Sequence, residues 1–442
     1  MGFRCYTVPA MNSQPNTISS EELKKAQSIA SLFDLPGPIE AFNFERKGNI
    51  NQKTYLIKAG PRGNCTEYIL QLLNPVIFTQ PRAVMNAMVS CIQAQQRALD
   101  KGVLRGDEEW EPIGLVQTRE GKPYLEVLDA GSLRCWRMMP RIRNANAYRS
   151  LGEIPDPHAR LRIAEEAGRG LALFQILTAD MDPSKLNCPL PGYRDTFLYY
   201  DQFASVLEGN RTLAEAASHL PMDAVVRRST ELQFLVHLKP EEYRCRREDS
   251  QLVRFIALAL EQKSFALTLV QGLKNGDLKT VVIHGDTKLD NFLFNASTGN
   301  VMALVDLDTI MPHTWLSDWG DMVRSLVNVA GERERDLERI EIDLEVFKAV
   351  ARGFLKSARH LALQEVGLMV EAAQIMALEL GVRFLTDYLR GDNYFKLRPE
   401  DPPDLNKTRA IVQLRLFEML RKDESLLNRI IADLGKNPLA SF

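Results

Sequence analysis

The sequence predicts an α+β protein of two lobes, a β-rich N-terminal lobe and a mainly helical C-terminal lobe. Three observations carry that expectation. From Ile39 to about Ile142, short β-rich runs dominate, with one helical stretch among them. After Asn144, apolar residues recur every three or four positions, the spacing that gathers them on one face of a helix. The length of 442 residues exceeds what one compact core accommodates and points to two or three domains or lobes.

Taken in order, residues 1–20 are polar and dotted with proline, and are expected to be disordered. Residues 21–142 form the N-terminal lobe. It opens with a helix from about Glu21 to Phe33, stopped by Pro36-Gly37-Pro38. Thr54–Ala59 and Glu67–Leu73 read as strands around the turn Gly60–Asn64, and Lys122–Leu128 and Arg134–Met139 as a further pair. Ala83–Asp100 has helical spacing. Residues 143–442 form the C-terminal lobe, with long helical patterns at 161–179, 248–274, 332–360 and 363–390. Between 281 and 306 lies a brief all-strand island.

Composition excludes several classes. With 45% hydrophobic and 25% charged residues the chain is an ordinary globular protein. Its net charge of -2 offers no attraction to nucleic acid or an anionic membrane, so neither is expected as a partner. Six scattered cysteines without a CxxC pair suit free thiols in a reducing compartment. No apolar run reaches the eighteen or so residues of a membrane span, and the N-terminus lacks the apolar core of a signal peptide. Met1-Gly2 and Cys5 resemble an acylation site, but Tyr6 stands where that pattern takes Ser or Thr. The expected location is cytoplasmic.

The island carries the chemistry. It reads VVIHGDTKLDN, FLFN, then VMALVDLDT after a Ser297–Asn300 turn, which is a hairpin signal. With those four residues as the loop, Ala296 faces Val301 and Asn291 lies opposite Asp306. Two oxygen-bearing side chains at the open end of one hairpin could share a hard cation such as Mg²⁺. Asp286, in a polar loop held by a buried strand, could accept the proton of an attacking hydroxyl. Lys288 could offset phosphate charge. Asp308 is either a second metal contact or a turn residue. Asp318 and Asp321 read as residues that cap and anchor a helix start.

HGDTKLDN, followed by VDLDT with an aspartate twenty residues on (286 to 306), resembles the catalytic loop and metal-binding aspartate of the protein-kinase-like superfamily. The likeness is to its aminoglycoside phosphotransferase and choline kinase branch. It implies a two-lobe kinase fold with ATP and Mg²⁺ as cofactors. Asp286 would be the base, Asn291 and Asp306 the metal ligands, and His284 a brace for the loop.

The same resemblance places a phosphate-covering turn at Arg46–Lys53, with Gly48, Asn49, Asn51 and Lys53 as nucleotide contacts. It places the phosphate-pairing lysine of the following strand at Gln71, a departure from most of the superfamily. Either a neutral amide serves there, with Lys53 or Lys288 supplying charge, or catalysis is impaired. Pro140 and Ile142 fall at the expected hinge and adenine pocket, a segment that could also be a plain edge strand.

Further pieces, GNINQKTYLI, YILQLLN, VDLDTIMP and RFLTDYLRGDNYF, make the chain similar to the N-acetylhexosamine 1-kinases. They imply a small-molecule substrate, an amino sugar phosphorylated at its anomeric hydroxyl, with Arg383 and Tyr394 beside Asp286 as sugar contacts. Phe384 and Tyr388, at i and i+4, read as core. Asn49 stands where such kinases often have histidine, so choline, homoserine or an aminoglycoside remains an alternative acceptor. A nucleotide-binding scaffold with a silent site is a further one. A di-metal phosphoesterase would need more histidines than His284 and His313 near one another.

Overall fold

The structure is a computed structural model, and it describes residues 19–45, 50–51, 53–129, 131–218 and 232–436. Residues 1–18, most of the segment expected to be disordered, lie outside the described residues, as do Gly48 and Asn49. The chain forms two compact units, one of residues up to 76 with 114–141, the other of 77–113 with 142 onward. This division differs from the continuous 21–142 lobe read in the sequence. Residues 77–113, which carry helix α2 (Pro81–Asp100), fold with the helical unit because α2 packs on helix α3 (Pro157–Leu177).

The first unit is an antiparallel sheet of β1 (Ile39–Asn43), β2 (Thr54–Ala59), β3 (Thr66–Leu72), β4 (Leu125–Asp129) and β5 (Ser132–Pro140), in the order β1-β2-β3-β5-β4. Helix α1 (Ser20–Ala30) starts at Ser19, whose hydroxyl accepts the Glu22 amide at 3.1 Å. Side chains alternate across a strand, so each run presents one apolar face. Tyr55, Ile57, Leu70, Leu72, Trp136 and Met138 turn that face toward Ala26 and Ala30 of α1. Each large apolar side chain buried there stabilises the unit by about 1.5–3 kcal/mol.

The opposite face carries two rows fixed by register. Leu56 pairs with Ile69 and Ile69 with Met139, giving a half-buried apolar row. Two residues along, Thr54 pairs with Gln71 and Gln71 with Arg137, giving a polar row.

The second unit is mainly helical. After α3 come α4 (Thr196–Glu208), α5 (Trp315–Val327), α6 (Leu344–Ser357), α7 (Met369–Arg390), α8 (Leu405–Lys422) and α9 (Glu424–Lys436). The pattern at 248–274 is broken into Ser250–Glu261, Lys263–Ala266 and Thr268–Asn275, and that at 363–390 into Leu363–Val366 and α7. Helix α6 lies along α3, and α7 packs against α4, α5 and α8. Helix α7 is buried almost all round, Phe384 and Tyr388 included. Yet Glu379, Arg383 and Asp387, one per turn, interrupt its apolar sequence. No helix among the described residues is long and apolar enough to cross a membrane.

Small strands in this unit hold the island: β6 (Ala145–Asn146), β7 (Val281–Ile283), β8 (Phe292–Asn295), β9 (Val301–Leu304) and β10 (Met311–His313). β7 pairs with β10, and β8 lies between β6 and β9. The hairpin register is not the one expected. Phe292 faces Leu304 and Phe294 faces Val301, with an irregularity between Leu293 and Phe294. The loop is Ala296–Gly299, closed by the Asn295 amide on the Asn300 carbonyl. Gly299, at φ +76°, takes the left-handed position that this turn requires, and the loop moves one residue toward the N-terminus.

Candidate active site

The catalytic-loop candidate leaves β7 at His284. Its backbone turns through Gly285, at φ +83°, where a β-carbon would lie 2.7 Å from the Thr309 carbonyl oxygen. Only glycine meets both demands. The His284 ring is buried against Phe174, and its Nδ1 accepts the Asp286 amide at 3.3 Å. Nε2 must then carry the proton and donate to the Val305 carbonyl at 2.9 Å. Burial pushes this imidazole below its ordinary pKa, in keeping with a neutral brace.

Asp318 and Asp321 do not cap helix α5. Thr314 does, accepting the Leu316 amide, while the two aspartates sit further into the helix. Asp318 accepts the His284 and Gly285 amides at 2.7 and 2.8 Å, and Asp321 accepts the Thr287 amide at 3.1 Å. Burial pushes the Asp318 carboxyl up, to about 7, against the two amides that favour its charge. Asp321 also pairs with Arg194 at 3.0 Å and with Arg324, and Arg324 continues to Glu332. The loop is therefore fastened by its main chain, which leaves its side chains for chemistry.

Asp286 is held by one oxygen. Its Oδ2 accepts from Lys288 Nζ at 2.7 Å and from Asn291 Nδ2 at 3.1 Å. Oδ1 makes no hydrogen bond among the described residues, so an acceptor remains for an incoming hydroxyl. Burial alone would lower the Lys288 pKa. The carboxylates of Asp286, Asp290 and Asp306 instead hold it above the ordinary lysine range, as a permanent cation.

Asn291 and Asp306 stand at the open end of the hairpin, but not directly opposite. The Val305 amide donates to the Asn291 carbonyl at 2.8 Å, and Asp306 lies one residue beyond the ladder at φ 66°, ψ 57°. A left-handed aspartate is an unusual backbone state that often marks a functional position. Because Asn291 Nδ2 also donates to the Asp286 carbonyl at 2.7 Å, the amide orientation leaves Oδ1 as its outward atom. One amide oxygen and one carboxylate suit a hard divalent cation. Asp308 is buried in the turn Leu307–Thr309 that follows.

Arg383 and Tyr394 are brought together. The Arg383 guanidinium lies 4.6 Å from the ring of Tyr199, 5.3 Å from Tyr193, 5.4 Å from Phe395 and 5.6 Å from Tyr394. Its one hydrogen bond among the described residues is a long one, 3.5 Å to the Tyr394 hydroxyl, and no carboxylate there lies within ion-pair distance. Tyr193 links this cage to the loop by donating to the Gly285 carbonyl at 2.7 Å. Asp387, fully buried one turn after Arg383, accepts the amides of Asn393, Tyr394 and Phe395 and so shapes the segment bearing two cage rings.

In the first unit the expected nucleotide contacts separate. Gln71 belongs to the polar row, whereas Lys53 lines a cavity of about 220 Å³ beside α1 with Glu22, Tyr55 and Trp136. Lys53 shares the strand face of Tyr55, not that of Thr54, so closeness in sequence to Gly48 does not bring it to Gln71. Asn51 is buried and its Oδ1 accepts the Asn74 amide at 2.9 Å. Pro140 ends β5, and Ile142 is half-buried at the start of the second unit's longer segment. The apolar row could take the flat face of a base and the polar row its phosphates, so the residues fit a nucleotide.

Nothing in the sequence pointed to Tyr193, Tyr199 or Asp387, and Arg137 was placed only within the expected hinge segment. The first two lie in an irregular stretch and a helix start, where spacing carries no signal.

The profile of the phosphotransferase enzyme family, APH, matches residues 46–348, more than half of the chain. The chain belongs to that family. Among solved structures, this APH-family chain is similar in fold to a microcompartment-associated aminopropanol kinase, at 13% identity and a TM-score of 0.52. That match covers 92% of this chain and 98% of that one. Weaker likenesses, both at a TM-score of 0.46, are to a choline/ethanolamine kinase family protein from Mesorhizobium loti and to amicoumacin kinase hAmiN. The first has 14% identity and covers 94% and 99% of the two chains. The second has 11% identity and covers 96% and 98%. At 13% identity the likeness to the aminopropanol kinase shows the two-lobe kinase fold and nothing finer.

Proposed function

We propose that this chain is an ATP-dependent kinase of a small, oxygen-rich alcohol, with the anomeric hydroxyl of an N-acetylhexosamine as acceptor. The observation that carries the reaction is Asp286, tethered through Oδ2 with Oδ1 left as acceptor, a hydrogen bond and a residue away from the Arg383 cage. Oδ1 takes the proton of the acceptor hydroxyl while that oxygen attacks the γ-phosphorus in line. The bond from the γ-phosphorus to the bridging oxygen breaks, ADP leaves, and a sugar 1-phosphate remains. Lys288 offsets phosphate charge, and Asn291 and Asp306 are the residues that would hold Mg²⁺, which neutralises phosphate oxygens. The reading places the enzyme in the cytoplasm, where ATP is available.

The substrate part rests on the cage. Aromatic cages bind cations, and this one is already filled by the protein's own guanidinium. Choline, ethanolamine or an aminoglycoside ammonium would meet a like charge there. Carbonyl and hydroxyl oxygens of an N-acetylated sugar would instead accept from Arg383 and stack on a ring.

A phosphorylation screen over N-acetylhexosamines, free hexosamines, plain hexoses, choline and homoserine, with ³¹P detection, tests both parts. An anomeric phosphate on the N-acetylated sugars is expected. Turnover confined to cationic acceptors would overturn the substrate reading. Nucleotide binding without turnover of any acceptor would favour the silent scaffold, the alternative to which Gln71 lends support.

A further inference from the structure

Gln71 leaves β3 without a cation, and the neighbouring strand supplies one. Gln71 on β3 faces Arg137 on β5, so both side chains leave the same face of the sheet. Arg137 directs both Nε, at 3.0 Å, and Nη2 to Gln71 Oε1. Gln71 Nε2 donates to Thr54 Oγ1 at 3.0 Å, and the Thr54 hydroxyl donates to the Asn51 carbonyl at 2.6 Å. The amide of Gln71 is thus engaged at both ends. It acts as a rest for a guanidinium and does not meet a phosphate itself.

Thr54 and Arg137 are each 2% exposed, so this is an ordered interior row and not a solvated charge. It runs beside the apolar row Leu56–Ile69–Met139 on the face that α1 does not cover. A base resting on the apolar row would carry its phosphates past the polar one.

We propose that Arg137 is the phosphate-directed cation of the nucleotide site, moved one strand over from position 71 and aimed by the Gln71 amide. The inference rests on the kinase reading above. It makes the absence of lysine at position 71 a relocation of charge, not a loss. A guanidinium suits the relocation, because its planar fork can rest on Gln71 through one edge while another edge points elsewhere. Gln71 is the positioning residue, holding Arg137 through two donors that converge on one oxygen.

The test is calorimetric titration of the full chain with Mg·AMP-PNP, with melting curves as the fold control. Arg137→Gln is expected to weaken nucleotide binding by about 10- to 100-fold, the scale of a charge-assisted contact. Gln71→Lys with Arg137→Gln returns the cation to β3 and should recover most of that loss. The inference is overturned by a folded Arg137→Gln variant that binds as tightly as the parent. A folded double variant no better than Arg137→Gln alone would also overturn it. Should Arg137→Gln fail to fold, Arg137→Lys keeps the charge without the fork and should weaken binding by no more than about tenfold. A folded Arg137→Lys that has lost binding would count against the proposal. Failure of the kinase reading looks different: phosphoryl transfer unaffected by Asp286→Asn would sink that reading whatever Arg137 does.

Discussion

The candidate catalytic loop and the proposed acceptor cage sit side by side in the second unit but are built differently. The loop is one contiguous stretch, His284 to Asn291, fastened by main-chain donors to Asp318 and Asp321. The cage draws Tyr193, Tyr199, Arg383, Tyr394 and Phe395 from four places in the chain, and of these the Tyr394–Phe395 segment is fastened through its main-chain amides, to Asp387. Chemistry common to a family can be fixed by a rigid local segment. On the proposed reading, selectivity is left to side chains gathered from separate segments, which can be exchanged one at a time.

That contrast can be broken from either side. Asp286→Asn removes the proton acceptor and leaves the fastened backbone alone. It should lower kcat by about 10²–10⁴-fold with little change in melting temperature, measured by steady-state kinetics and calorimetry. Arg383→Met empties the cage. It should raise KM for the acceptor by about 10- to 100-fold with a smaller change in kcat, and should let choline bind where the parent does not. A loss in kcat alone would place Arg383 in the loop's machinery and blur the distinction.

The backbone side is tested by Gly285→Ala. Its β-carbon would meet the Thr309 carbonyl, and its φ is left-handed, so unfolding free energy should fall by about 1–3 kcal/mol in denaturant titrations. An effect seen only as pH falls concerns His313, which lies on β10 beside β7. Burial, aided by Arg194, pushes His313 down to about 4, while its Nδ1 meets the Ser317 hydroxyl at 2.8 Å. The folded state holds it neutral, so its contribution is present above pH 6.5. Between pH 6.5 and 4 the unfolded chain takes up a proton that the folded chain refuses, and stability falls by about 1.4 kcal/mol per pH unit. His313→Asn should remove that slope from the pH dependence of the denaturation midpoint.

The same contrast explains what the sequence could reveal. The grouping of His284, Asp286, Asn291 and Asp306 was legible because it depends on spacing along one hairpin and the strand before it. Even there the register came out one residue away, since the choice between two four-residue loops depends on where Gly299 adopts its left-handed turn. Lys53 was assigned by nearness to Gly48, although the pleat puts it on the face of Tyr55. Arg137 became visible only once β3 and β5 were paired. Arg383 and Tyr394 were reached through likeness, but nothing in their spacing announced Tyr193 or Tyr199. Asp387 lies inside an apolar helix, where a buried acid signals a partner without naming it.

One carbonyl has a consequence for timing. Gly285 C=O accepts from both Tyr193 and Arg194, at 2.7 and 2.8 Å, which fills the two lone pairs a carbonyl oxygen has. The peptide plane joining Gly285 to Asp286 cannot flip without breaking both bonds at once. If Asp286 is the base proposed above, the backbone that carries it is set when the chain folds, not when a substrate arrives.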